Sequence, residues 1–358
     1  MFSKQMKMKL IVSFVLCFSL TFVSASQTNL SKINTNDESL QNSDFLLIDD
    51  NMEDDHILKT THSISGGSFD DIQNLIDNAN SGDTIILNGK FVAKDESSVI
   101  SINKKLNITS SNGATLDGKS KTRIFKINSN AKGIAINNII FKDVYSEKNG
   151  GAIYLNASNT IITNCTFENC IAHSGGAIST STTQQITNLE IKDTKFYSNH
   201  GVSAGGAILY AGKNLEITSS IFNNNYIELA ENGWGGGALQ IGVENQENNC
   251  KITDCIFNNN YVTYNSESKG HAGVGCLRRG VTFTNCNFTN NSTYSGGVLG
   301  FHDGGYVINC NFYNNYATES AGAISFDTSN QTAIVENSYL KIIPQNMEEQ
   351  YLPTPKPI

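Results

Sequence analysis

The chain has 358 residues, of which 39% are hydrophobic and only 16% charged, with 30 glycines, four prolines and a formal net charge of −8. That is too apolar for a disordered chain and too sparsely charged for a protein of long surface helices. It is also too acidic and too poor in Arg to neutralise a nucleic-acid backbone. All four prolines (Pro344, Pro353, Pro355, Pro357) fall at the C-terminus, so the body reads as all-β, with Asn and Gly at its turns, rather than as a helical bundle.

In chain order, Lys4, Lys7 and Lys9 precede an apolar run from Leu10 to Val23, followed by the small residues Ser24 and Ala25. This pattern predicts a secretory signal peptide over 1–25, too short in its apolar part for a bilayer span. Cys17 lacks the preceding small residue that lipoprotein processing needs. Residues 26–62 carry the acidic clusters Asp49-Asp50 and Glu53-Asp54-Asp55 without periodicity. They lack the alternating oxygen ligands and Gly turn of a calcium loop, and read as a solvated spacer.

Phe69, Ile72, Leu75, Ile76 and Ala79 then recur at helical spacing behind Ser68, predicting a short capping helix. Gly82-Asp83 turns into a strand at Thr84–Leu87. Irregular strands follow at Val99–Ile102, Leu106–Ile108, Leu116–Gly118 and Ile124–Ile127.

From Phe141 the chain repeats. Phe141, Phe167, Phe196, Phe222, Phe257, Phe288 and Phe312 are separated by 26, 29, 26, 35, 31 and 24 residues, one structural unit with loops of variable length. Five positions before each Phe stands an apolar residue (Ile136, Ile162, Ile191, Ile217, Ile252, Phe283, Val307), and two before stands a small or apolar one (Ile139, Cys165, Thr194, Ser220, Cys255, Cys286, Cys310). In a straight strand these two positions face opposite sides, because the side-chain period is two. Both read as interior, so the chain must bend between them. The bend falls on Asn138, Asn164, Asp193, Ser219, Asp254, Asn285 and Asn309, types that tolerate left-handed backbone.

A second polar corner is expected three residues after the Phe, at Asn199, Asn225, Asn260, Asn291 and Asn315, with Val144 and Cys170 as exceptions. A Gly-Gly-Ala-apolar element follows at 150–153, 175–178, 205–208, 236–239 and 296–299, with weaker copies read at Val274–Leu277 and Ala321–Ile324. Three short strands per turn, always in the same order and without hairpins, give a parallel β-helix over 63–343, with a Pro-rich tail over 344–358.

The paired Gly-Gly-Ala-Ile and Phe-x-x-Asn elements resemble the repeats of chlamydial polymorphic membrane proteins and are similar to the adhesin-like β-helix proteins that methanogenic archaea export. Phe69–Leu87 resembles the opening of right-handed parallel β-helix proteins, and the right-handed sense rests on that resemblance. The chain has no room for the membrane barrel of the chlamydial proteins. The resemblance implies a secreted or cell-surface adhesin-like protein, without naming an anchor.

Four of the cysteines, Cys165, Cys255, Cys286 and Cys310, share one interior column; Cys170, Cys250 and Cys276 lie elsewhere. Small buried core residues are favoured over bridges between rungs, because parallel in-register Cβ vectors suit a disulfide poorly. No His/Cys spacing suggests zinc, and no metal or cofactor is expected. Sequons occur at Asn29, Asn107, Asn156, Asn164, Asn287, Asn291 and Asn330. Asp117 in Leu-Asp-Gly reads as a turn residue.

Outward positions after each Gly-Gly-Ala element are expected to run through Tyr154, Ser179, Leu209, Gln240, Arg278 and Ser325, with His302, Asp303 and Asp327 nearby. That is where acid, base and Arg converge, but the remaining columns hold Ser, Thr, Asn and Gln. The expectation is therefore a non-catalytic adhesin or display protein, with no catalytic residues assigned, that binds glycans or surface proteins through Tyr226–Trp234 and Tyr261–Gly273. The alternative is a polysaccharide lyase or glycoside hydrolase of the pectate-lyase-like type working near Arg278, His302, Asp303 and Asp327. A third reading is a fragment of a longer adhesin, with Thr354–Pro357 as a spacer.

Overall fold

The computed structural model describes residues 59–228, 235–244, 246–263, 271–319, 322–326 and 332–342. The expected signal peptide, most of the spacer, Trp234, Asp327 and the Pro-rich tail lie outside them. Among the described residues, strands form a folded 22-stranded sheet and a flat nine-stranded sheet. Pairing is parallel, with Ile191 opposite Ile217 and Phe141 opposite Phe167. The architecture is a single-stranded, right-handed parallel β-helix, whose first strand, Thr61–Ser68, starts just ahead of the expected boundary.

The first corner lies where the side-chain parity requires it. Asn138, Asn164, Asp193, Ser219, Asp254, Asn285 and Asn309 all have φ between 49° and 58°. With the chain turned there, both flanking positions point inward, and Phe283, Cys286 and Phe288 are all buried. The seven Phe rings from Phe141 to Phe312 stack one per turn, centroids 4.5–5.0 Å apart and planes within 12° of parallel. Burying each such side chain contributes about 1.5–3 kcal/mol.

The second corner departs from expectation by one residue. Left-handed backbone occurs two residues after the Phe, at Asp143, Asn169, Ser198, Asn224, Asn259, Asn290 and Asn314. The residue after it points into the coil, and Asn199, Asn225, Asn260 and Asn291 are fully buried. These amides form an internal ladder. Each Nδ2 donates to the next Oδ1, at 2.9 Å from Asn199 to Asn225 and from Asn225 to Asn260, and at 3.0 Å from Asn260 to Asn291 and from Asn291 to Asn315. The same Oδ1 atoms accept the backbone N–H of the preceding Asn, and the second Nδ2 proton goes to a Phe carbonyl, as from Asn260 to Phe222. Val144 and Cys170 break the polar pattern because the position is interior, so apolar groups fit there as well. The Cys170 N–H donates to Asn199 Oδ1 and so closes the ladder. A second, external amide ladder, Asn159–Asn188–Asn214–Asn249, marks the turn from the nine-strand face into the next rung.

At the N-terminal end, the helix Phe69–Asn78 turns Phe69, Ile72 and Ile76 into the core. Ser68 and Asp71 form a capping box: the Ser68 N–H and hydroxyl donate to Asp71 Oδ2 at 2.8 and 2.7 Å, and the Asp71 N–H donates to Ser68 Oγ. Asp83 fastens the first strand to this end. Its carboxylate accepts the N–H groups of Thr60 and Asn80, both at 2.8 Å, and meets His62 Nε2 at 2.9 Å. The amide of Thr60 first, then that of Asn80 and the His62 contact, hold its pKa down at about 2.

Two outcomes follow from these contacts. A carboxyl with a depressed pKa stabilises the fold at pH above the ordinary carboxylate value of about 3.9, and that stabilisation is lost below it. For Asp83 the loss runs down through about pH 2. Asp83→Asn is therefore expected to lower the melting temperature at neutral pH and to flatten its acid decline; equal acid slopes for the two proteins would contradict the assignment. Asn260→Leu leaves ladder partners on both sides unpaired and is expected to cost about 3 kcal/mol in urea unfolding. Asn259→Gly, at the neighbouring exposed left-handed corner, is the near-neutral control.

Candidate functional site

The entry glycines set the geometry of the nine-strand face. Gly205 has φ +56°, and a Cβ on Gly206 would overlap the carbonyl oxygen of Gly237 in the next rung. Leu239 pairs with Gly275, which aligns Gly236-Gly237-Ala238-Leu239 with Ala272-Gly273-Val274-Gly275. The weaker copy thus sits two residues earlier than Val274–Leu277. Ala272, at φ +61°, takes the left-handed conformation that Gly150, Gly175, Gly205 and Gly296 hold in other rungs.

That slip relocates Arg278. The outward column runs Tyr154, Ser179, Leu209, Gln240, Cys276, Gly300 and Ser325, so Cys276 holds the place expected for Arg278. Arg278 stands just past the strand end, half-buried, beside Gly242 of the preceding rung. A Cβ on Gly242 would lie 2.7 Å from Arg278 Cβ, so the glycine makes room for the side chain. In the next rung Phe301 pairs with Leu277, which puts His302 level with Arg278, and the His302 N–H donates to the Leu277 carbonyl at 2.9 Å. Arg278 and His302 are therefore neighbours across adjacent rungs, with Asp303 next to them.

The thiol of Cys276 lies 3.3 Å from His302 Nε2. Burial pushes its pKa up to about 12, against the charge of Arg278 and a hydrogen bond with Gln240. Gln240 Oε1 and Asp303 Oδ2 are buried and have no hydrogen-bond partner among the described residues. Beyond Asp303 the surface opens into a small polar cleft of about 80 Å³, lined by Glu247, Arg279, Asp303, Tyr306 and Thr332 together with Gly280, Gly304 and Gly305. Arg279 Nε pairs with Glu247 Oε2 at 2.9 Å on its rim.

The structure thus brings together Arg278, His302 and Asp303; Asp327 lies outside the described residues. Gln240 stands in the outward column as expected, whereas Cys276, Glu247, Arg279 and Tyr306 were not expected here. The available signal was the degenerate Gly-Gly-Ala copy, which the register places at Ala272–Gly275. Arg123, at the other end of the same face, is consumed structurally: it donates to the carbonyls of Gly150 and Asn149 at 2.7 and 2.5 Å and lies over the Tyr154 ring. Asp117 is a turn residue as expected, accepting the Lys119 N–H and pairing with Lys90.

The seven cysteines from Cys165 to Cys310 are buried, as the core reading expects. Among the described residues no cluster of three or more His, Cys, Asp or Glu side chains is arranged to hold a metal ion, and no helix is long and apolar enough to cross a membrane. Of the sequons, Asn291 is shut inside the internal ladder, whereas Asn107 and Asn287 are exposed.

No family model matches the chain, and no curated protein matches it. Among solved structures it is similar to a PL6-family alginate lyase, at 15% identity and TM-scores of 0.48 and 0.47 for an arginine variant and the unaltered enzyme, over 78% of this chain and 38% of that one. It is also similar to a pectate lyase from Xanthomonas campestris, at 14% identity and TM-score 0.39, over 76% of this chain and 82% of that one. The chain spans well under half the length of the alginate lyases it matches. The expectation of a non-catalytic adhesin, with no enzyme, is corrected by this result: the solved structures named here are polysaccharide lyases, which was the alternative. At such identity the likeness speaks for the coil alone, and the chemistry has to be argued from the residues at its edge.

Proposed function

We propose that the chain is an exported polysaccharide-processing β-helix that cleaves an acidic, uronate-containing polymer at the edge formed by Arg278, His302 and Asp303. The observation that carries this reading is the level placement of Arg278 and His302 on adjacent rungs, followed in the chain by Asp303, whose buried Oδ2 has no hydrogen-bond partner among the described residues. A guanidinium is suited to a sugar carboxylate, which it can hold through two parallel N–H···O bonds. Neutralising that carboxylate acidifies the proton on the adjacent ring carbon, and an imidazole is suited to take it.

The step balances as a β-elimination. His302 accepts the proton from C5, the released electron pair forms the C4–C5 double bond, and the C4–O glycosidic bond breaks. The leaving oxygen collects a proton, for which the Tyr306 hydroxyl in the adjoining cleft is a phenolic source. No water is consumed. Asp303, which borders the cleft, is placed to accept hydrogen bonds from the sugar hydroxyls. The apolar leader at Leu10–Val23 and the likeness of the repeats to exported Gly-Gly-Ala-Ile/Phe-x-x-Asn proteins support an extracellular place of action on a glycan partner.

The test is incubation of the full chain with polyguluronate, polymannuronate and polygalacturonate beside neutral glucans, following new ultraviolet-absorbing unsaturated chain ends. Cleavage of at least one uronate polymer and of no neutral one is expected. Arg278→Ala and His302→Ala should each slow it by about 100-fold or more while leaving the melting temperature near that of the parent. Absence of unsaturated ends from every uronate polymer, or full activity in both variants, would overturn the proposal.

A further inference from the structure

The corner that leads from the nine-strand face into the next rung carries the external amide ladder, and toward the N-terminal end the same corner carries Lys59, Lys104, Lys105 and Lys132. Thr61 pairs with Thr84, Thr84 with Asn107 and Asn107 with Ala135. Lys59, Gly82, Lys105 and Gly133 therefore form one column, and Lys104 is level with Lys132 beside it. The glycines leave room for the lysine stems: a Cβ on Gly82 would lie 3.8 Å from Lys59 Cε, and one on Gly133 would lie 3.4 Å from Lys105 Cε. Lys104 donates to the carbonyls of Ala79 and Asp77 at 2.6 and 3.2 Å, while Asp77 Oδ1 accepts from Gln73. Lys90, Lys94, Lys119 and Lys142 are each held by an Asp carboxylate. None of the four corner lysines has such a partner among the described residues, and Lys59, Lys105 and Lys132 are exposed. Like charges set level on neighbouring strands repel, so the cluster gives the fold nothing by itself. Level with Lys132, the following rungs place Ser158, Thr187, Lys213, Asn248 and Arg279, beside the exposed ladder Asn159–Asn188–Asn214–Asn249. Neither column holds a carboxylate; Glu190 and Glu216 stand two residues further on, along the adjoining strands.

We propose that this corner is a second, non-catalytic binding track for an acidic polysaccharide, which lies along the coil axis with carboxylates on the lysines and hydroxyls on the amide ladder. The choice of a uronate polymer rests on the cleavage reading above; the track itself rests on the charges. An ammonium holds a sugar carboxylate through charge-assisted hydrogen bonds. Asn188 and Asn214 each use one N–H and one oxygen lone pair on their ladder neighbours, which leaves a second N–H and a second lone pair for hydroxyls. Groups that recur once per rung, about 4.8 Å apart, suit a ligand that itself repeats. Nucleic acid fits less well. The corner offers no aromatic ring for a base to stack on, and its cations are interrupted by amides and hydroxyls, whereas a nucleic acid carries a phosphate at every step. From Lys132 to Arg279 the track crosses five rungs, about 24 Å, and Arg279 stands on the rim of the cleft beside Asp303. A polymer held by the lysines is thereby led to the edge where Arg278 and His302 meet.

The experiment measures, by fluorescence anisotropy, the binding of end-labelled polyguluronate, polymannuronate and polygalacturonate to the full chain carrying His302→Ala, so that cleavage does not interfere. A neutral glucan and a single-stranded oligodeoxynucleotide run beside them. Binding of at least one uronate polymer, weakened by added salt, is expected, with none of the neutral glucan. Adding Lys105→Gln/Lys132→Gln should weaken that binding about tenfold. Adding Lys192→Gln/Lys195→Gln instead removes the same charge from exposed positions on either side of Asp193 and should leave binding near that of the parent. All four lysines are exposed, so both double variants should keep the parent melting temperature. Undiminished binding without Lys105 and Lys132, an equal loss in the control, or tighter binding of the oligonucleotide would overturn the proposal. A chain that binds in this way but, with His302 restored, yields no unsaturated ends keeps the track and loses the cleavage reading. One that cleaves, yet binds as well without the two lysines, keeps the cleavage and loses the track.

Discussion

A buried amide column sets the terms for the rest of this structure. Asn199, Asn225, Asn260, Asn291 and Asn315 each point into an apolar interior, where an unpaired amide would cost about 1–3 kcal/mol. None can be satisfied within its own rung. Each needs the Asn of the neighbouring rung, with the same rotamer at the same height. The turn that aims the amide inward must therefore recur in register in every rung, and with it the stacked Phe rings, the inward cysteines and the paired strands. Hydrophobic burial supplies most of the stabilisation, but apolar contacts tolerate a slipped register far better than this ladder does.

The same demand for register accounts for the location of the candidate site. Where the pattern is strict, outward positions on the nine-strand face carry small or neutral groups and the edges are taken up by glycine turns. Around the copy at Ala272–Gly275 the pattern loosens: Ala272 stands in a glycine conformation, Gly242 of the preceding rung gives way to Arg278, and Cys276 enters the outward column. Arg278, His302 and Asp303 gather at that irregularity. A solenoid supplies a rigid platform, and chemistry can be placed only where the repeat releases residues from packing.

Most of the coil was legible in the sequence because parity is a hard constraint. Ile217 and Ser220 could both be interior only if the chain bent at Ser219, and it does. The second corner was misplaced by one residue, since Asn suits both a left-handed turn and a buried ladder. Asn224-Asn225 and Asn259-Asn260 contain one of each, and composition alone cannot separate them. Val144 and Cys170 held the answer, because an exposed corner has no need of apolar exceptions. The site was read two residues out of register at Cys276 because alanine was not expected to adopt φ +61° at Ala272. Arg279, Glu247 and Tyr306 gave no motif, since their meeting depends on three separate rungs.

Amide hydrogen exchange tests the dependence of the fold on the internal ladder most directly. The backbone N–H groups of Asn199, Asn225, Asn260 and Asn291 donate to side-chain Oδ1 atoms of the following rung at 3.1, 3.0, 2.8 and 2.9 Å. They should be among the slowest in the protein and exchange only through global unfolding. If they instead exchange through local opening, as fast as the amides of exposed segments such as Asp95–Ser97, the ladder does not hold the rungs in register and the account fails.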